Sequence, residues 1–280
     1  NMTDIANIQS LAVAADTVSN VEVHTVNADN ASVSTSYEVL SNLDDASLTQ
    51  LGTAGDGIEG VSTDDTDDKA GGQGGLVLTV KGLDTSFNKK ESTITLNGTT
   101  VVEHADTDWT WVNEAYVSSV GTLLNATGAI SITNDASGNS IGLIDAGQYK
   151  IQNCWWKVPA GHTGYVYGFW YYVLPVAAPV GQGVFALQMA RHGLQGVASA
   201  EVWETIAEVV IDEADTGVAV DAARGTSHHV FSFPGNQPVV IPAKAIVRLA
   251  AKATSTAVAV SGGFNITIQG SGSGTTITQS

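Results

Sequence analysis

An all-β protein, built as a β-sandwich, is what this sequence predicts, and three observations carry the expectation. A small Asp/Pro-Ala turn recurs at Asp145-Ala146-Gly147, Pro159-Ala160-Gly161 and Pro242-Ala243-Lys244. After the second and third turns comes an apolar strand with almost no charge, 163–173 and 245–250. Short strands launched from Pro/Gly turns at intervals of about ten to twenty residues are the pattern of a sandwich.

Composition narrows the function classes. The 280 residues suffice for one large β-domain with an appendage or for two small domains. Apolar residues make up 43% while charged residues make up only 14%, so the chain is not of the disordered kind. A surface of Thr, Ser, Asn and Gly forms few ion pairs and suits packing against copies or partners. With 11 Lys+Arg against 28 Asp+Glu the net charge is −17. Nucleic acid and anionic membranes are therefore not expected partners. Cys154 is the only cysteine, so no intrachain disulfide is possible, and the following Trp155-Trp156 points to a buried thiol. The N-terminus lacks a basic n-region, and no signal peptide is expected. The uncharged stretch 158–190 is broken by Gly161, Gly164, Gly168, Pro175 and Pro179, which favours buried strands over a membrane helix.

In chain order, 3–16 has the spacing of a short helix, and 21–26 alternates as a strand with 34–39 as its expected partner. The acidic, glycine-rich segment 43–75 reads as exposed loops around a strand at 58–62. Leu76, Leu78 and Val80 share a strand face. Residues 93–96 and 99–102 flank Asn97-Gly98 as a hairpin, since Asn-Gly supplies the positive φ of a type I′ turn. Short strands are expected at 116–120, 129–133 and 140–144. The segments 150–158 and 165–174 hold eight of the chain's nineteen aromatics and mark the core. Both faces of 165–174 are apolar, so that strand is either central in a sheet or half committed to an interface. Strands follow at 185–191 and 202–211; the second could be a helix, but its β-branched content favours a strand. In the last strand Phe264, Ile266 and Ile268 point inward, and Gly262-Gly263 suggests a bulge. The Ser/Gly/Thr segment 271–280 reads as a flexible tail.

Candidate chemistry is sparse. The run from Asp64 to Asp68 is the place where Ca2+ could bind, although from Asp65 the sixth and twelfth positions are Ala70 and Leu76 rather than the Gly and Glu of an EF-hand. His228-His229 is the one tight histidine pair, and neighbours on a strand point to opposite faces. No Gly-x-Ser-x-Gly elbow or Gly-x-x-x-x-Gly-Lys loop occurs. Asp106, Asp108 and Glu114 around Trp109 and Trp111 resemble a glycosidase carboxylate set only loosely. Trp109 and Trp111 alternate and so share a strand face; they could stack a sugar or seal a protein interface, with core packing the plainer reading. No enzyme activity, catalytic residue or cofactor is expected.

Several segments resemble one family. Gly82-Leu83-Asp84 with Asn88, then 92–100 (STITLNGTT), are similar to the "GLD…N…TVTLNGTT" signature of virion structural proteins abundant in marine bacteriophages. The Ser/Thr/Asp loop 62–68, the glycines of 71–75, Glu114-Ala115-Tyr116-Val117, 128–133, the Val158-Pro159-Ala160-Gly161 turn and Ile241-Pro242-Ala243-Lys244 follow in the family's order. Glu114 stands where the family has Arg. The resemblance spans about 35–270 and implies a jelly-roll type sandwich. The expected organisation is thus an N-terminal arm or small β segment over 1–34, a jelly-roll-like domain over 35–270 and a tail over 271–280. The expected role is a head decoration or head-fibre protein of a phage particle. It would assemble as a homo-oligomer, a trimer by expectation, and with virion proteins such as the major capsid protein. A host-surface glycan-binding module of a fibre or tail is the alternative.

Overall fold

The computed structural model describes residues 20–43, 51, 54–173, 183–191, 203–211, 229–254 and 258–270. The described chain is all-β, with one short 3-10 turn at Pro234–Asn236. It divides into two compact units, one comprising Asn1–Leu40 with Cys154–Ser280 and the other Ser41–Asn153. A single sandwich over 35–270 is thereby replaced by one β-unit interrupted by another. An acidic, glycine-rich segment does begin at 43, just past the first crossing, but it reads as a loop, and nothing marks the second crossing, so the sequence did not reveal the interruption.

The first unit begins with β1 (Val21–Val33) and β2 (Glu38–Val39). The second unit supplies β3 (Ile58–Ser62), β4 (Gly75–Asp84), β5 (Lys89–Thr95), β6 (Val102–Glu103), β7 (Trp109–Val120), β8 (Ile130–Asn134) and β9 (Ser140–Ile144). The first unit then resumes with β10 (Trp155–Lys157), β11 (His162–Val173), β12 (Gly183–Ala190), β13 (Glu204–Ile211), β14 (His229–Ser232), β15 (Val239–Ile241), β16 (Ile246–Ala253) and β17 (Val258–Gly270).

In the first unit one sheet runs β1-β17-β11-β14, with β15 also on β11; the other runs β10-β16-β12-β13, with β2 also on β16. The strands alternate as the period-two pattern requires. Phe264, Ile266 and Ile268 of β17 are buried against Phe185, Leu187, Met189, Val247 and Leu249 of the facing sheet. Each such side chain taken from water stabilises the fold by roughly 1.5–3 kcal/mol. Cys154 is buried in this core as expected, its Sγ 3.6 Å from the Gly262 carbonyl.

Two expectations are corrected here and one alternative is decided. Of the arm and the small β segment expected over 1–34, residues 21–33 form the second: β1 is an edge strand paired antiparallel with β17 from Val21↔Gln269 to Val33↔Val258. Its expected partner around 34–39 instead joins the opposite sheet, where Val39 pairs with Ala250. The bulge lies not at Gly262-Gly263 but across the ladder in β11, between Val166 and Phe169. There a Cβ on Gly168 would overlap the Phe231 carbonyl, so the glycine permits the kink. The segments 1–19 and 271–280 lie outside the described residues, as do the expected helix and tail.

The second unit packs the sheet β6-β3-β8-β9 on the sheet β5-β4-β7. Ile58, Ile130, Ile132 and Ile144 from one meet Leu78, Val80, Ile94 and Val112 from the other. The turn at Asn97-Gly98 is shifted by one residue from the expected type I′ hairpin: the Thr100 amide closes it on the Asn97 carbonyl at 3.0 Å, so Gly98 and Thr99 are central, and of these only Gly98 has a positive φ, +56°. Its second arm leaves the sheet, however: β6 pairs with β3, not β5.

Candidate functional site

Trp109 and Trp111 do not share a face. In the β4–β7 ladder Asp84 pairs with Trp109 and Leu83 with Trp111, so Thr110 is an extra residue. Its hydroxyl donates to the carbonyls of Leu83 (3.2 Å) and Asp84 (2.9 Å), which pins the bulge. One inserted residue reverses the side on which everything beyond it points. Trp109 enters the core at 0% exposure, and Trp111 is turned the other way yet is only 6% exposed. Neither indole presents a ring to a sugar. The alternation in the sequence could not show this, because a bulge leaves no mark in it.

The same place explains part of the Gly-Leu-Asp signature. A Cβ on Gly82 would overlap the Trp111 carbonyl, so only glycine fits beside the bulge. The Asp84 carboxylate accepts the amides of Ser86 and Asn88, both at 2.8 Å, and the Asn88 side-chain amide at 3.2 Å. These residues build a turn in which Phe87 takes a φ of +63°. Their demand is conformational.

The acidic run is also structural in its main contact. Asp67 is fully buried. Its Oδ1 accepts the amides of Gly75 (2.6 Å) and Thr127 (2.8 Å), and its Oδ2 accepts the Ser62 hydroxyl (2.6 Å) and the Gly128 amide (2.8 Å). Asp64 accepts both the amide (2.9 Å) and the hydroxyl (2.7 Å) of Thr66, and these bonds hold its carboxyl below the usual carboxylate range. Asp68 accepts the Ala70 amide at 2.8 Å. Among the described residues no group of three or more His, Cys, Asp or Glu side chains converges on a metal position. His229 stacks on Tyr171 at 5.5 Å between ring centroids, and His228 lies outside the described residues.

Beside Trp109 sits a cluster the sequence did not reveal. Lys90 lies 4.7 Å over the Trp109 ring, 3.1 Å from Asp106 Oδ2 and in contact with Asp108. The hydrogen bond from Lys90 is the first cause of an Asp108 carboxyl held below its ordinary value. Glu114 is elsewhere, opposite Lys81 in the ladder. Ser92 Oγ and His104 Nε2 are 2.5 Å apart, and Asp106 follows two residues after the histidine. The order Ser-His-Asp invites a hydrolase reading, but the proton is in the wrong place. His104 Nδ1 accepts the Asp106 backbone amide at 3.0 Å, so the ring proton is on Nε2 and is donated to Ser92. A base that already donates to its hydroxyl cannot take a proton from it.

The remaining feature of note is a surface. On the outer face of the sheet β1-β17-β11, one row places Val23, Thr267, Tyr165 and Val240 side by side; past the polar pair Thr25 and Asn265, joined by a 2.8 Å hydrogen bond, another places Asn27, Gly263, Trp170 and Val230. A third adds Asp29, Ser261 and Tyr172. The Trp170 ring lies over Gly263, where any Cβ would collide with it. Val23, Val230 and Val240 are 41%, 65% and 55% exposed. Asp29 is the one charged side chain along these rows, and it accepts the Ser261 hydroxyl. The strand with two apolar faces is central, between β17 on one side and β14 and β15 on the other.

No family model matches this chain, and no curated protein does. Two solved structures align with most of it at low similarity. The infectious bursal disease virus VP2 subviral particle is 9% identical over 90% of this chain and 72% of that one, with a TM-score of 0.22. The infectious bursal disease virus Gx strain structure is 11% identical over 89% and 81%, with a TM-score of 0.12. At those scores neither bears on fold or function.

Proposed function

We propose that this chain is a structural protein of a virus particle, a head decoration or head-fibre component of a tailed phage that acts by assembly. The observation that carries the reading is the aromatic and nearly uncharged outer face of the β1-β17-β11 sheet on a chain of net charge −17. Solvated surfaces of such an acidic chain are expected to carry charge; a face left without it suits burial against protein. The ordered motifs from Ser62 to Lys244 support the same reading, and so does a pair of all-β units whose conspicuous residues serve turns and bulges. Partners in this reading are copies of the chain and other virion proteins such as the major capsid protein. Burial of Trp109 and Trp111 counts against the glycan-binding alternative.

The test is quantitative mass spectrometry of density-purified particles from an infected culture encoding this chain. A constant copy number per capsid protein across preparations is expected. Abundance in the lysate with none in purified particles would overturn the reading.

A further inference from the structure

We infer that the outer face of the β1-β17-β11 sheet is the self-association surface of this chain, with a second copy as its occupant. The inference rests on the assembly reading and names the partner of that surface.

Charge selects the occupant. Two copies at −17 each repel wherever their acids meet. Along the rows of this face the only carboxylate is Asp29, already bonded by Ser261, so two copies can meet here without bringing free acids together. A basic partner would gain nothing from a face without charge.

Area and shape agree. Four strand widths by some ten residues give about 600 Å² on each copy, or about 1,200 Å² in all, the lower bound of a stable interface. Gly263 lets the Trp170 ring lie against the sheet, and sheets pack face to face about 10 Å apart. Its centre holds Tyr165, Trp170 and Tyr172, the residue types that anchor interfaces. Val23, Val230 and Val240 flank them on the outer strands. A two-fold arrangement uses the same patch twice and closes without leaving it open.

The experiment is sedimentation velocity on the full chain across a concentration series, with Val230→Asp, Val240→Asp and the control Val101→Asp. All three valines are 49% exposed or more, so the substitutions leave the cores intact, and circular dichroism checks that they do. The wild type is expected to sediment at twice the 28.9 kDa chain mass or a higher multiple. Val230→Asp and Val240→Asp should each weaken association about 30-fold or more, because each buries an unpaired charge, while Val101→Asp should leave it unchanged. A wild type that stays monomeric at every concentration, or an oligomer that both variants leave intact, overturns the inference. A monomer that still co-purifies with particles would defeat this inference alone; an oligomer broken by the variants yet absent from particles would defeat the assembly reading alone.

Discussion

Ser41 Oγ donates to Asn153 Oδ1 at 2.8 Å, and the two residues form an antiparallel bridge at the base of the second unit. They are the first and last residues of that unit, so its ends lie side by side. Both are buried, and the pair is tied further by the Leu43 amide on Ser41 Oγ (3.1 Å) and by Asn153 Nδ2 on the Ile141 carbonyl (3.1 Å). A unit with adjoining ends and its own apolar core can be cut out of the chain. Residues 41–153 expressed alone are expected to unfold in one cooperative transition by circular dichroism. Ser41→Ala should lower that unit's stability by about 1–3 kcal/mol, because it strands a buried acceptor.

Asp67 and Gly74 give a sharper expectation. The carboxylate collects three amides and one hydroxyl from three separate places in the chain, and a Cβ on Gly74 would overlap its Oδ1. Asp67→Ala would leave buried N–H groups without acceptors and should cost about 3–5 kcal/mol in the urea midpoint analysis. Gly74→Ala should destabilise through the same contact. A loss under about 1 kcal/mol in both would show that the loop reorganises freely.

How much of this was legible depends on the range of the interaction. The inward set Phe264, Ile266 and Ile268 could be read directly, because period-two burial is written in neighbouring residues. The strand 204–211 likewise followed from its β-branched content. Illegible were relations that one residue or a long loop decides. Thr110 as an inserted residue parts Trp109 from Trp111, and nothing local marks it. The pairing of Val21 with Gln269 joins opposite ends of the chain, and the Asn97-Gly98 turn gives no sign that β6 crosses to another sheet. Asp67 looked like one acid of a solvated run; its burial depends on amides sixty residues further on, at Thr127 and Gly128.

Two carboxylates set opposite pH dependences in the second unit. Asp108 is held low, first by its hydrogen bond to Lys90, so its contribution is present above the ordinary carboxylate range and is lost as pH falls through the lowered value, below about pH 4. Asp135 is held high, first by its hydrogen bond with Asp56, so the folded state binds that proton more tightly and loses stability as pH rises from about 4 through the raised value. Both groups are near solvent, and screening keeps the effects small. Lys90→Met should flatten the acid limb of the thermal midpoint profile. Asp135→Asn should raise the midpoint at neutral pH and leave it unchanged at pH 3, with both differences shrinking at high salt. An Asp135→Asn variant less stable at neutral pH would contradict the raised Asp135 carboxyl.

The Ser92–His104 pair offers a direct test for hydrolytic chemistry. With the Asp106 amide on His104 Nδ1 and the Nε2 proton directed at Ser92, the hydroxyl has no base, and its role is to accept a hydrogen bond. Nitrogen NMR of the folded chain is expected to show the Nε2–H tautomer, and a fluorophosphonate probe should leave Ser92 unlabelled over hours. Ser92→Ala should cost about 1 kcal/mol of stability, since the lost partner leaves a half-buried ring N–H to find water. Stoichiometric labelling that Ser92→Ala abolishes would mean that the imidazole reverses its tautomer and acts as a base. The site beside Trp109 would then be catalytic rather than a closure of the sandwich end.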